Sequence, residues 1–180
     1  MLTEFEDLKI TDVETLEHNI KKIENMIRTS KEYRSFLHYC KENQGLRFSQ
    51  SCDNIDLVTN EISIEMHHHI INLYRIVAIV GTEMLLNLQS GKYILTWDIA
   101  RAVIDLHLAD ELSIVSLAVT DHELVHAGLL NIDATNDMVH LGKYKDFINK
   151  YHDYLTIEEY NAYIKYGADA EYIQSYINKL

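Results

Sequence analysis

Ten histidines lie in this chain of 180 residues, and two clusters of them have spacings that suit chemistry. The first is Met66-His67-His68-His69, at the end of a stretch with alternating polarity. The second is His122-Glu123-Leu124-Val125-His126. Histidines four apart share one face of a helix a turn apart, so both imidazoles of the second cluster can reach one divalent ion. Near the start of that helix the positive end of the backbone dipole disfavours imidazolium, which keeps His122 neutral and ready for metal, and it also welcomes an anion. In the first cluster, strand alternation sends His67 and His68 to opposite sides, so one can bind a metal while its neighbour faces a substrate. Glu65 falls on the side of His67 and is a candidate brace or additional ligand; Asp121 is a candidate brace for a ligand histidine. His18, His38, His107, His140 and His152 are scattered and read as structural.

The second cluster also spells HExxH, the zinc-protease signature, in which Glu123 would be the general base. A protease of that kind needs a third ligand downstream. No HxxGxxH continuation follows, and Asp137, Glu158 and Glu159 are the carboxylates left to supply it. Glu123 has a plainer explanation as the third helical residue after a Thr120 cap.

The elements that must hold these residues follow from periodicity. Thr11-Asp12-Val13-Glu14 reads as a capping box opening a helix to about residue 29, and Ser30 caps a second helix with Tyr33, Phe36, Leu37 and Cys40 at helical spacing. Residues 54–58 and 61–67 read as a hairpin ending in the first histidine cluster. Two core helices follow at 71–88 and 96–109, the second with Thr96 as its cap. Residues 113–119 form a short β-like run, and a helix opening at Thr120 carries the second cluster to about Gly128. The remainder, 143–180, reads as helices broken at Gly167 and carries eight of the twelve tyrosines, a pattern that suits core or partner packing. Trp97 reads as packing.

A strand ending in Glu-x-His-His, a later short strand and a helix bearing HxxxH resemble the ββα-metal core of the HNH, or His-Me finger, nucleases. More narrowly, Glu65-Met66-His67-His68-His69-Ile70-Ile71-Asn72-Leu73-Tyr74-Arg75-Ile76 and Ser113 to His126 look like the two halves of the motif in phage-encoded HNH-like proteins. The resemblance runs over about residues 25–155. It departs at Ile70 and Ser116, where that pattern has prolines, at Arg75, where it has Asp, and at Ser113, which stands in place of the Asn that braces the histidine loop. The resemblance implies a divalent metal (Mg, Mn, Ni or Zn) on His67, His122 and His126, with His68 as the general base activating water. The implied activity is a metal-dependent endonuclease acting on the phosphodiester bonds of DNA. Two other readings remain beside it: a non-catalytic HNH-like structural or interaction protein of phage type, and the HExxH metalloprotease.

The bulk properties set limits. A formal net charge of −12 opposes a phosphate-backbone ligand. Residues 21–47 nevertheless hold seven basic residues against three acidic ones, and Lys31, Arg34, Lys41 and Arg47 are candidate backbone contacts there. Cys40 and Cys52 form no CxxC pair, which disfavours a thiolate zinc site and suits reduced cysteines. The most apolar stretch, Ile70 to Leu88, contains Asn72, Arg75, Glu83 and Asn87, costly groups for a membrane span, and MLTEFEDL has no apolar leader segment. The expectation is therefore an α+β, mostly helical chain with a ββα-metal motif embedded in helices. Residues 1–142 would form the HNH-like domain with a helical insertion between the motif halves, and 143–180 a Tyr-rich tail packed on it. The expected partner is nucleic acid, DNA by that resemblance alone, with a protein partner or a second copy through the tail. No membrane is expected, and the setting is the cytoplasm, that of the host if the chain is phage-encoded.

Overall fold

The computed structural model describes residues 7–43, 63–132, 139–140 and 142–177, with the side chains of 43, 139 and 168–177 left aside. The strand expected at 54–58 lies outside the described residues, as do Arg47, Cys52 and Asp137.

Helix α1 (Val13–Thr29) opens one residue later than the box read from Thr11. Asp12 is the cap: its carboxylate accepts from Thr15 N–H at 2.8 Å, and Thr15 Oγ1 accepts from Asp12 N–H at 3.2 Å. Leu16, Ile20, Ile23, Met26 and Ile27 form its buried stripe. Ser30 then caps α2 (Lys31–Asn43), accepting from Tyr33 N–H at 3.1 Å, and Tyr33, Phe36 and Cys40 are buried as their spacing implies.

Strand β2 (Ile64–His68) pairs antiparallel with β4 (Ile114–Ala118), with His67 opposite Val115 and His68 opposite Ile114. A short β5 (Val139–His140) lies on the other edge of β4. Between β2 and β4 the chain inserts α3 (Leu73–Leu86) and α4 (Thr96–Leu108), which pack on α1 to make the helical core. Gly81 of α3 allows the closest approach there: a Cβ would stand 2.7 Å from a methyl of buried Leu16. A two-stranded ribbon, β1 (Lys9–Ile10) with β3 (Ile94–Leu95), was not foreseen, since two-residue strands carry no readable period. Thr96 is the first residue of α4 rather than its cap. Its hydroxyl donates to Asp7 at 3.0 Å and accepts from Leu8 N–H at 3.1 Å, tying the ribbon to the helix.

Helix α5 (Val119–His126) follows β4 with no intervening loop and starts a residue before the expected Thr120 cap. Strand, strand and helix thus stand together, and the architecture is α+β and mostly helical. Downstream come α6 (Tyr144–Tyr151), a 3-10 turn (His152–Tyr154) and α7 (Ile157–Ile177). Gly167 does not break α7. It sits where a Cβ would overlap the Tyr144 hydroxyl, so it serves close packing rather than termination. Tyr144, Tyr151 and Tyr163 are buried, with Tyr144 and Tyr163 stacked at 6.1 Å, so these tail aromatics belong to the core.

Arg75, one of the departures from the phage-type pattern, anchors this tail. Its guanidinium donates to both oxygens of Glu159, at 2.9 and 3.2 Å, and to the Tyr154 carbonyl at 2.7 Å. Glu159 is itself in a reciprocal cap with Thr156, whose N–H it accepts at 2.8 Å. Burial pushes the Glu159 carboxyl up, and the bonds from Arg75 and Thr156 outweigh it, leaving the group below its ordinary range. Arg75→Ala is expected to cost about 1.5–3 kcal/mol, the range for charge-assisted hydrogen bonds, measured as a lower urea midpoint. An unchanged midpoint would show that α7 docks by apolar contact alone.

Candidate metal centre

The alternation of β2 decides which histidines meet. Glu65 and His67 face outward, and Met66 and His68 face the core. Because α5 leaves the end of β4 directly, its HxxxH face turns back over the outer side of β2. One ligand nitrogen from each of His67, His122 and His126 lies within 4.8 Å of the others. His122 Nε2 and His126 Nε2 are 3.1 Å apart, and the His67 ring centroid is 5.3 and 5.2 Å from those of His122 and His126. A tetrahedral ion with nitrogens at about 2.0–2.1 Å holds them roughly 3.3 Å from one another, so the donor set fits such an ion with little movement.

Glu65 braces this arrangement. Its carboxylate accepts from His122 Nδ1 at 2.5 Å, which leaves Nε2 as the metal-facing lone pair. Asp121, the other candidate brace, stands in the first turn of α5. His67 is held down to about 4, first by burial and then by repulsion from its two neighbours. His122 is also lowered, burial outweighing the pull of Glu65. Both rings are therefore neutral at neutral pH, the form that ligates. A cavity of about 180 Å³ opens on the cluster, with Glu24, Arg28, Asn72 and Tyr74 among its walls. Clefts of about 580 and 370 Å³ lie elsewhere on the surface, away from the histidine cluster, so donor chemistry and not size marks the site.

His68 does not take the place expected of a general base. Its ring is 5% exposed and points into the core, where its Nε2 is 2.9 Å from His107 Nε2. His107 Nδ1 donates to the Val103 carbonyl at 2.7 Å, so the neutral His107 accepts through Nε2 and His68 donates. Tyr33 stacks over His68 and meets His107 edge-on. A water-activating base needs access to water; His68 borders the cavity, yet its Nε2 is engaged by His107 in a buried polar contact, which differs from the free base that the resemblance implies. His107, read as structural, is its partner.

The protease reading loses its geometry as well. His67 stands where a third ligand would, and Glu159 is committed to Arg75 and Thr156. Of the four candidate backbone contacts, the three among the described residues do not border the cavity. Arg34 donates to the Thr29 carbonyl at 2.8 Å, Lys41 to the Ile64 carbonyl at 3.2 Å, and Lys31 borders a separate cleft with Trp97. Arg28, which the reading of backbone contacts passed over, is the basic residue on the cavity wall.

Two departures acquire reasons. Ser113 Oγ donates to the His69 carbonyl at 2.6 Å, so a serine braces the histidine segment from the position of the missing Asn. Ile70 has φ of 74°, a value closed to proline, so the backbone leaves β2 by a path the proline-bearing pattern cannot follow. For a β-branched residue that conformation costs about 1–2 kcal/mol.

A family model described as "Bacteriophage G278-like virion protein" matches residues 2–175. Comparison with the curated proteins and with the solved structures finds no match. The virion family overturns the endonuclease expectation and favours the non-catalytic phage-type reading set beside it.

Burial also lowers His68 strongly and holds His69 and His107 at about 4. In the unfolded chain these groups take protons near pH 6.5. Depressed folded values mean that the unfolded state binds more protons below that pH. The stability they contribute is present above about pH 6.5 and is lost as pH falls toward 4. In metal-free buffer the urea midpoint should drop from pH 7.5 to pH 5, and a His68→Leu/His107→Leu double variant should drop less. An equal drop in both would place the acid sensitivity elsewhere.

Proposed function

The chain belongs to the bacteriophage G278-like virion protein family, and on that premise we propose that it serves the phage particle as a non-catalytic structural and interaction protein. In this reading the strand–strand–helix unit is a relative of the His-Me finger that no longer hydrolyses anything. Its three histidines hold a divalent ion, Zn²⁺ or Ni²⁺ by donor type, that ties α5 to β2. The observation that carries the metal is the convergence of His67, His122 and His126 with Glu65 fixing the His122 tautomer. The burial of His68 supports the loss of catalysis, since the residue borders the cavity but its Nε2 is engaged by His107.

An ion there would act as a staple. It joins two segments more than fifty residues apart in sequence and is bound only by the folded arrangement, so it stabilises in proportion to its affinity. Helix α5 needs such a tie, because it has no buried residue of its own.

Protein partners fit the family and the surface. Ile157, Tyr160 and Ile164 lie at spacings of three and four on α7 and are 76%, 41% and 48% exposed, an apolar stripe suited to another subunit. Among the described residues no helix is long and apolar enough to cross a membrane. The phage setting stands, and the proposed location moves from the host cytoplasm to the particle.

The test is mass spectrometry of density-purified particles of the encoding phage. The chain should be present at a constant copy number per particle; its absence from washed particles would sink the proposal. A second measurement addresses the metal. Zn²⁺ at about 100 times its Kd should stabilise the wild-type protein by about 2.7 kcal/mol, read as a rise in melting temperature, and His126→Ala should abolish the rise. Equal rises in both proteins would remove the cluster as the binding site. Supercoiled plasmid should stay intact with every divalent ion.

A further inference from the structure

Three histidines would leave a tetrahedral ion one ligand short, and all three border the cavity of about 180 Å³. Arg28, in the last turn of α1, is part of its wall. Its half-exposed side chain borders the same cavity as His67, His122 and His126. Glu24 is its partner one turn back, at 3.9 Å, a long contact that leaves the half-exposed guanidinium with donors to spare. Tyr74 and Asn72 border the same opening.

We propose that this opening is a docking point for one carboxylate side chain of another virion protein, which would complete the metal shell while Arg28 pairs with it. The proposal rests on the metal reading above. Charge selects the class of ligand. Glu24 borders the opening, Glu65 is paired with His122 of its wall, and Asp121 and Glu123 stand on α5. A continuous polyphosphate would carry several charges past those carboxylates within one Debye length of about 8 Å. A single carboxylate brings one charge, which the ion and Arg28 balance. The body of the protein, at −12, adds to the bias against a nucleic acid strand. A neutral imidazole from a partner would gain nothing from Arg28. The planar fork of Arg28 matches the two oxygens of a carboxylate, one of which stays free when the other ligates.

The experiment uses the full chain loaded with Co²⁺, whose visible bands report coordination number and ligand exchange. Acetate stands for the partner's side chain and diethyl phosphate for a nucleic acid backbone. Acetate should shift the bands saturably and more tightly than diethyl phosphate. Arg28→Gln should weaken acetate by about three- to tenfold, the range for a partly exposed charge pair. Glu24→Gln, which removes a competing carboxylate, should tighten it. Bands that form but ignore acetate, tighter binding of diethyl phosphate, or the same acetate affinity in wild type and Arg28→Gln would each overturn the inference while leaving the metal reading intact. Absence of intense tetrahedral bands in wild-type protein would overturn both.

Discussion

The antiparallel pairing of β2 with β4 is the constraint on which the rest depends. It sets His67 opposite Val115 and His68 opposite Ile114. A one-residue slip would exchange the two faces of β2 and send His67 into the core and His68 out. Register is held by the apolar side: Met66 is buried on the core face beside His68, and β4 is buried along almost its whole length. The same pairing decides where α5 begins, because the helix follows β4 without a loop and therefore inherits its direction.

The two sides of β2 solve opposite problems with the same residue type. On the core side, burial forces His68 and His107 to be neutral and to satisfy one another, and the Val103 carbonyl orders their protons. On the outer side, three imidazoles each bring a ring nitrogen within 4.8 Å of the others, an arrangement suited to a shared cation. Glu65 holds one ring so that this lone pair cannot turn away. A catalytic centre of the His-Me type would need an imidazole free to take a proton from water. Here the candidate for that task has become part of the core, in keeping with a family of virion proteins.

Local motifs were less discriminating than their placement. HExxH and the HNH-like halves share His122 and His126, and both readings were consistent with the string of letters. The third histidine beside them comes from a strand more than fifty residues earlier, and not from the downstream segment where the protease signature puts its ligand. Ser113 makes the same point: it looked like a loss at the Asn position, yet its hydroxyl reaches the His69 carbonyl and does the bracing. Arg75 looked like a substitution away from a pattern and proves to be the anchor of α7.

The sequence by itself determined the helices, because stripes such as Leu16, Ile20, Ile23 and Ile27 repeat with the helical period and local caps mark their ends. It also determined the pairing of His122 with His126 and the opposition of His67 to His68, since both follow from backbone periodicity within one element. What it left open was everything set by contacts between distant segments: the β1–β3 ribbon, the passage of α7 through Gly167, and the identity of the residues on the cavity wall. Arg28 and Glu24 carry no local signal for a site, being ordinary charges on an amphipathic helix until the fold sets them around the same cavity as His67 and His122. The outward face of half-buried His67 and the burial of His68 likewise required knowing which face of the sheet the helices cover. That choice is made by the summed burial of apolar side chains across the whole chain, which no local window contains.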